Sequence, residues 1–277
     1  MSPEPRHEGD YSTRQVQAAR RVLVDLGQVL APFGDAIVVV GGWVPDLLLP
    51  SATSAHIGSI DVDLALDAAK LADGRYAELL KLLLDTGRYH RGDKDFQLVT
   101  TVELGDAEQP VMVEVEFLAS DDVVLTKNHP KLVEGFRVLR FPAFAAAFTS
   151  PVDIDFSGPM ISGASNTVHL RVASLPDFLI MKAHAIGGRD KPKDVYDLCY
   201  CLDQFPNAIE VVAAAWRAQQ DDALVAGAAA ILKEKFQSVE HYGPQQLAGF
   251  HSGGSSDESE MHSRRAYELV RKLLSLL

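Results

Sequence analysis

The sequence predicts an α+β fold, in which a mixed β-sheet core flanked by helices is followed by a helical C-terminal domain. Three observations indicate this class. Amphipathic helical spacing alternates with short apolar strands up to about residue 119. Two of those strands carry carboxylates at every second position, as in a sheet with one polar face. From about residue 168 onwards the spacing of apolar residues is mostly helical.

We expect two domains, a sheet domain over residues 1–170 and a helical domain over residues 171–277. Residues 1–10 are polar and acidic, which predicts a disordered tail. The 277 residues are 47% apolar, which suffices for packed cores. No apolar run reaches the length of a membrane span, so we predict a cytoplasmic protein with no membrane partner. The formal charge of −12 argues against a protein that coats nucleic acid with its whole surface.

The sheet domain is predicted to begin with an amphipathic helix over residues 12–31. The stretch "DAIVVVGGW" then predicts an apolar strand ending in two glycines, and "VPDLLLP" predicts a short helix closed by Pro50. A loop leads into the strand "SIDVDLAL". The stretch "DAAKLADGRYAELLKLLLDTG" predicts a helix that Gly87 ends, and strands follow near "FQLVTTVEL" and "PVMVEVEFLA".

Helices dominate the predicted C-terminal part, with Ser174 as a candidate N-cap for the first of them. Cys199 and Cys201 stand too close together in a helix to face each other, which argues against a disulfide or a zinc site. Residues 249–263 are rich in Ser, Gly and acidic side chains and predict a mobile loop. Residues 264–277 predict a final helix.

Asp61 and Asp63 are the most unusual feature of the predicted sheet. Side chains two residues apart on a strand share a face, so these carboxylates repel each other unless a cation lies between them. A wet edge strand gives the same pattern, and Asp153 and Asp155 in "PVDIDFSG" form a second such pair. The pattern alone leaves both interpretations open.

A second strand, "VMVEVEF", places Glu114 and Glu116 on one face. Three carboxylates on adjacent strands form a typical ligand set for Mg²⁺. One ion would organise a triphosphate and its pyrophosphate leaving group, and a second would lower the pKa of an attacking hydroxyl. Gly41 and Gly42 would let backbone N–H groups approach a phosphate, although two glycines between a strand and a helix are more often a tight turn.

The segment "KAHAIGGRDKPKDVYDL" gathers cations in an otherwise acidic chain. The side chains that would suit phosphate contacts are Lys182, Arg189, Lys191 and Lys193. Asp194 and Asp197 lie one helical turn apart and would pair with Lys193 or with Arg189. A solvated helix face is the alternative, and it is less consistent with Lys182, which follows the apolar run "FLIM".

Taken in order, "GGW", "SIDVDL", a later strand carboxylate and "KAHAIGGRDKPKDVYDL" resemble the nucleotidyltransferase superfamily. Within it, the chain resembles the AbiEii-type toxins of bacterial toxin–antitoxin systems, over about residues 36–200. The resemblance implies a DNA polymerase β-like catalytic core and a helical domain that contributes Lys and Arg side chains. It also implies transfer of a nucleotide from a nucleoside triphosphate (NTP) with one or two Mg²⁺ ions.

The resemblance implies roles for individual residues as well. It assigns metal binding to Asp61, Asp63 and Glu116, with Lys182 as a further catalytic residue. By the same carry-over, the nucleotide-binding residues are Gly41, Gly42, Ser59, Lys182, Arg189, Lys193 and Asp194. The second carboxylate pair, in "PVDIDFSG", matches no motif position, and we expect it to lie on the surface.

The sequence departs from the family pattern at two points. A basic residue often precedes the Ser by two positions, where this chain has Ile57 beside His56. The third carboxylate is either Glu114 or Glu116. We prefer Glu116, because two apolar residues follow it, as they follow the usual ligand.

We expect an NTP-dependent nucleotidyltransferase, a toxin that modifies RNA such as tRNA 3′ ends, with a cognate antitoxin as partner. The stretch "TKNHPKLVEGFRVLR" offers basic residues for RNA, although an ordinary exposed loop and strand is an equally good interpretation. A small-molecule acceptor, as in the aminoglycoside-modifying enzymes that share this core, is the first alternative. The second alternative is a nucleotide-binding or antitoxin-like protein without turnover.

Overall fold

The computed structural model describes residues 5–50, 52–72, 74–106, 108–120, 138–251 and 255–277. The chain divides into two compact units. The sheet unit comprises the described residues of Ser12–Leu47 and Gly58–Ser174, and the helical unit those of Met1–Tyr11, Leu48–Ile57 and Leu175–Leu277. The last division lies close to the expected boundary at residue 170. The described residues of Met1–Tyr11 and Leu48–Ile57 belong to the helical unit, whereas we expected them in the sheet domain.

The described strands form one eight-stranded sheet in the sheet unit. They are β1 Ile37–Val40, β2 Asp61–Leu66, β3 His90–Arg91, β4 Gln97–Val102, β5 Val111–Ala119, β6 Leu139–Arg140, β7 Val152–Pro159 and β8 Ser165–Val172. Their order is β3-β4-β5-β2-β1-β8-β7, and β6 pairs with β5. β2 is parallel to β5 and antiparallel to β1. The expected mixed sheet is therefore confirmed.

The described part of the sheet unit includes three α-helices: α1 Thr13–Val29, α2 Val44–Leu48 and α3 Arg75–Asp85. Ser12 and Gln15 form a capping box that starts α1 where the sequence predicted it. α3 begins later than expected. The Asp67 carboxylate accepts hydrogen bonds from the backbone N–H groups of Ala69 and Lys70, and this local turn replaces the first helical turns.

The hairpin of β7 and β8 corrects the prediction that helical structure begins near residue 168. The apolar residues of "SNTVHLRV" alternate with polar ones, which is the period of a strand. Asp153 and Asp155 lie on β7 with exposed side chains, opposite Arg171 and His169 of β8. Their expected position on the surface is confirmed.

The helical unit contains α4 Leu175–Gly188, α5 Pro192–Gln204, α6 Ala208–Ala218, α7 Ala223–Lys235, α8 Tyr242–Phe250 and α9 Ser256–Ser275. The expected loop over residues 249–263 is largely wrong. Ser255 and Glu258 form a capping box that starts α9, and residues 252–254 lie outside the described part. Across the described residues, no helix combines the length and the apolar character that crossing a membrane requires.

The structure also differs from the expected disordered tail, because residues 5–10 contact the rest of the helical unit. Arg6 forms an ion pair with Asp190 at 2.8 Å. Glu8 accepts a hydrogen bond of 2.8 Å from His251 Nδ1. These polar contacts give the segment a fixed path that its composition alone does not predict.

Candidate active site

Four carboxylates lie on one face of the sheet unit. In the parallel pairing of β2 with β5, Asp61 lies opposite Glu114, and Asp63 lies opposite Glu116. Residues in register on neighbouring strands point to the same side of a sheet, whereas the buried Val62 between the two aspartates points to the other side. The four side chains therefore form one acidic surface, which we call the carboxylate face.

Asp61 is held in place by two buried neighbours. Ser59 Oγ donates a hydrogen bond of 2.6 Å to Asp61 Oδ1. Trp43 Nε1 donates a hydrogen bond of 2.8 Å to the backbone carbonyl of Asp61. Ser59 is the residue for which the family resemblance implies a triphosphate contact, and here it orients the Asp61 carboxylate. The Trp43 side chain is buried in the core of the sheet unit.

Gly41 accounts for the glycine pair at the end of β1. Its φ of +69° lies in the left-handed region, which favours glycine. A Cβ atom at this position would collide with Asp63 Oδ2. Gly42 is buried in the tight turn that leads into α2. The two glycines therefore form a turn, and the first of them makes room for the carboxylate of Asp63.

The sequence analysis missed Lys94 and Gln97, which hold the two glutamates of the carboxylate face. Lys94 Nζ lies 2.6 Å from Glu116 Oε1 and 3.8 Å from Glu114 Oε2. The buried amide of Gln97 donates to Glu114 Oε2 at 2.6 Å and reaches Glu116 Oε1 at 3.4 Å. The stretch "RGDKDF" before β4 signals a turn, and nothing in it distinguishes a site from an ordinary hairpin.

Burial and neighbouring charges shift the pKa values of Glu114 and Lys94 at the carboxylate face. Burial raises the pKa of Glu114; Lys94 counteracts this, while the charges of Glu116 and Asp61 add to it. Burial disfavours the charged form of Lys94. Its hydrogen bond to Glu116 and the surrounding carboxylates nevertheless raise its pKa. The face therefore favours bound cations.

The chemistry of this donor set fits Mg²⁺, which prefers carboxylate oxygens. Within the described residues, no group of three or more His, Cys, Asp or Glu side chains is already arranged around a common metal position. Glu116 instead contacts Lys94. Mg²⁺ usually keeps several waters and needs only one or two carboxylates, so Asp61 and Asp63 satisfy its minimum requirement.

The other expected site residues lie in the helical unit, where α4 is followed by α5. Lys182 Nζ lies 2.8 Å from Asp194 Oδ1 and 2.7 Å from Asp197 Oδ2. Arg189 Nε lies 2.7 Å from Asp194 Oδ2, and Lys193 Nζ lies 2.7 Å from Asp197 Oδ1. The expected pairing of the two aspartates with neighbouring cations is confirmed. We call these five residues the ion cluster.

His56 joins the ion cluster from the segment Leu48–Ile57. Its Nε2 lies 2.9 Å from Asp197 Oδ1, and both side chains are fully buried. Tyr200 OH donates a hydrogen bond of 2.7 Å to the carbonyl of Ser54 and fixes the same segment. His56 is the neighbour of Ile57, which stands where the family often has a basic residue. In the structure, His56 is a partner of Asp197.

The ion cluster is ionised although it is mostly buried. Burial disfavours the charged form of Asp194, but Lys182 and Arg189 lower its pKa to about 2. Lys182 and Lys193 likewise hold the pKa of Asp197 well below its usual range, against the effect of burial. Arg189 is the exposed member, with 52% of its side chain accessible.

The structure thus brings the expected site residues together in two groups. The sheet unit holds Gly41, Gly42, Ser59, Asp61, Asp63 and Glu116, and the helical unit holds Lys182, Arg189, Lys193 and Asp194. Three residues of the basic stretch considered for RNA lie outside the described residues: Lys127, Lys131 and Arg137. Arg140 of the same stretch lies in β6.

A comparison with protein families agrees with the resemblance seen in the motifs. The family model described as "Nucleotidyl transferase AbiEii toxin, Type IV TA system" matches residues 58–260. This match includes β2, β5 and the ion cluster. No curated protein matches the chain at a significant level. Because the family model covers most of the sequence, the chain belongs to the AbiEii nucleotidyl transferase toxin family of type IV toxin–antitoxin systems.

Proposed function

We propose that the protein transfers a nucleotide from an NTP to RNA, such as a tRNA 3′ end, with the help of Mg²⁺. The family indicates nucleotidyl transfer and, as a toxin family, a cognate antitoxin. The observation that carries the proposal is the register of β2 and β5. It aligns Asp61 and Asp63 with the glutamates of β5 on one face.

In such a transfer, the acceptor hydroxyl oxygen forms a bond to the α-phosphorus of the NTP. The bond from that phosphorus to the oxygen bridging to the β-phosphate breaks, and pyrophosphate leaves with the electron pair. Mg²⁺ held by Asp61 and Asp63 would neutralise the triphosphate and lower the pKa of the hydroxyl. Glu116 is the third carboxylate in this proposal, as a further metal ligand or as the base that accepts the hydroxyl proton.

The neighbouring residues would keep these carboxylates oriented before the substrate arrives. The hydrogen bond from Ser59 restricts Asp61. Gly41 allows Asp63 to lie directly against the backbone at the end of β1. Because both aspartates stand on a central strand of the sheet, little reorganisation is needed when a metal and a triphosphate bind.

The nucleotide-binding roles of Lys182, Arg189, Lys193 and Asp194 rest on the family resemblance. Arg189 is the best candidate for a phosphate contact, because its guanidinium is half exposed and two hydrogen bonds to Asp194 hold it. Lys182 and Lys193 are nearly buried against carboxylates. We propose that these two lysines position Asp194 and Asp197 and thereby Arg189.

The test is to incubate the protein with Mg²⁺, each labelled NTP and total bacterial RNA. The inactive variant is Asp61→Asn/Asp63→Asn, and the matched control is Asp153→Asn/Asp155→Asn, which removes the same charges from the exposed pair on β7. We expect label on RNA from wild type and the control, and a loss of about a hundredfold or more in the inactive variant. The thermal stability of that variant should be unchanged or slightly higher, because a like-charge repulsion disappears.

Three other outcomes would redirect or reject the proposal. NTP binding without label on RNA would point to a small-molecule or protein acceptor. No NTP binding at all would reject nucleotidyl transfer. A large loss of stability in Asp61→Asn/Asp63→Asn would assign these aspartates a structural role instead.

A further inference from the structure

Lys94 lies against the two glutamates of the carboxylate face. Its ammonium lies 2.6 Å from Glu116 Oε1 and 3.8 Å from Glu114 Oε2. The charge of Asp61 also acts on it. From one position, this side chain therefore neutralises part of the charge on both strands that carry the proposed metal ligands.

Lys94 stands beside carboxylates from both strands of the face. The four carboxylates of β2 and β5 lie in register on neighbouring strands. Carboxylates grouped in this way are the ligands that Mg²⁺ prefers. Glu116, the third carboxylate of the proposed metal site, already contacts Lys94.

The side chain of Lys94 has more freedom to move than that of Glu116, the glutamate it contacts most closely. It is half exposed and precedes β4, and its four-carbon stem is flexible. Glu116 is only 15% exposed and stands on an inner strand of the sheet. Gln97 donates to both glutamates, so Glu114 and Glu116 keep a hydrogen-bond partner when Lys94 moves away.

We propose that Lys94 is a built-in counter-ion of the carboxylate face that couples metal binding to nucleotide binding. In the free protein its ammonium competes with divalent metal for Glu116. When metal and NTP bind together, the metal takes the carboxylates and Lys94 turns to the negatively charged triphosphate. Metal and nucleotide then each strengthen the binding of the other. This inference rests on the function proposed above.

The experiment compares Lys94→Met with Lys81→Met in the full chain. Methionine has a similar length to lysine without the charge. Lys81 is a matched control, because its ammonium pairs with Asp85 on the exposed surface of α3. Binding of Mn²⁺ is measured without nucleotide by electron paramagnetic resonance of the free ion. Binding of a non-hydrolysable NTP analogue at saturating Mg²⁺ is measured by calorimetry.

We expect Lys94→Met to tighten Mn²⁺ binding about three- to tenfold and to weaken binding of the analogue by a similar factor. Lys81→Met should change neither. If the Mn²⁺ affinity of Lys94→Met is unchanged or lower, Lys94 does not compete with the metal. If Mn²⁺ binds more tightly but the analogue binds as in wild type, the proposed coupling is wrong. Either result overturns the inference.

The Asp61→Asn/Asp63→Asn variant separates this inference from the proposed function. If that variant binds Mn²⁺ as tightly as wild type does, the proposed metal site is wrong, and the role of Lys94 is rejected with it. If it loses Mn²⁺ while Lys94→Met behaves like Lys81→Met, the metal site stands and the role of Lys94 alone is rejected.

Discussion

The carboxylate face and the ion cluster each contain two aspartates that are close in sequence. The two sites differ in how deeply these aspartates are buried and in the charged groups around them. Asp194 and Asp197 are at most 1% exposed, and cations of the same unit contact both of them. Asp61 and Asp63 are partly exposed on the carboxylate face. The ion cluster encloses its aspartates among cations of the helical unit, whereas the aspartates of the carboxylate face are accessible to a ligand.

This difference separates two kinds of site that the residue types alone do not distinguish. Buried charges are costly unless they are paired, so the ion cluster should contribute mainly to folding and to the orientation of Arg189. Partly exposed like charges cost less and create an affinity for cations. Substitutions in the two sites test this contrast.

Asp197→Ala should destabilise the protein most. The substitution leaves the buried ammonium groups of Lys182 and Lys193 without a shared carboxylate, which typically costs about 3–5 kcal/mol. The free energy of unfolding in urea at neutral pH measures the loss. Asp153→Ala is the control, because its exposed carboxylate on β7 should contribute no more than about 0.5 kcal/mol. A loss below about 1 kcal/mol for Asp197→Ala would show that the ion cluster does not carry folding energy.

The ion cluster should also make stability depend on pH in acid. Although burial opposes ionisation of Asp194, Lys182 and Arg189 lower its pKa from the ordinary 3.8 to about 2. Because the folded-state pKa lies below that of the unfolded chain, this stabilisation is complete above about pH 4 and is lost as the pH falls towards about 2. A shift of this size corresponds to about 2–3 kcal/mol.

Urea unfolding of wild type and Asp194→Asn over this acid range measures that contribution. The free energy of unfolding of wild type should fall more steeply with decreasing pH than that of the variant, which lacks the titrating carboxyl. Parallel pH profiles would contradict the assigned pKa. The remaining slope of the variant reports the other carboxylates, including Asp197.

The sequence predicted the parts of both sites that depend on local periodicity. The two-residue period of a strand placed Asp61 and Asp63 on one face, and helical spacing predicted that Asp194 and Asp197 pair with nearby cations. The sequence also contains a signal for the start of α9, because Ser255 and Glu258 stand three residues apart as in a capping box. The loop prediction gave more importance to the Ser- and Gly-rich composition than to this signal.

The contacts that depend on strand pairing were not predictable in the same way. Whether Glu114 or Glu116 lies opposite Asp63 is decided by the register of β2 and β5, which local sequence does not encode. Lys94 reaches Glu116 across 22 positions of the chain. Contacts of this kind follow from the arrangement of the sheet, and a search for motifs overlooks them.

The smallest predicted effect concerns Gly41, where backbone conformation and the carboxylate face meet. Gly41→Ala should destabilise the protein by about 2 kcal/mol, because alanine is strained at a φ of +69° and its Cβ would collide with Asp63 Oδ2. Gly105→Ala is the matched control. Its φ of +81° imposes a similar strain of about 1 kcal/mol, but among the described residues no atom beyond its chain neighbours lies within 4 Å of the added Cβ.

The difference between these two glycine variants isolates the contact with Asp63. In an Asp63→Ala background the colliding oxygen is absent, so the extra cost of Gly41→Ala over Gly105→Ala should shrink. If the difference persists in that background, the cost arises from the backbone, from the remaining Cβ of residue 63 or from other neighbours. If it disappears, Gly41 is retained at this position to let the Asp63 carboxylate lie against the end of β1, where the proposed metal site needs it.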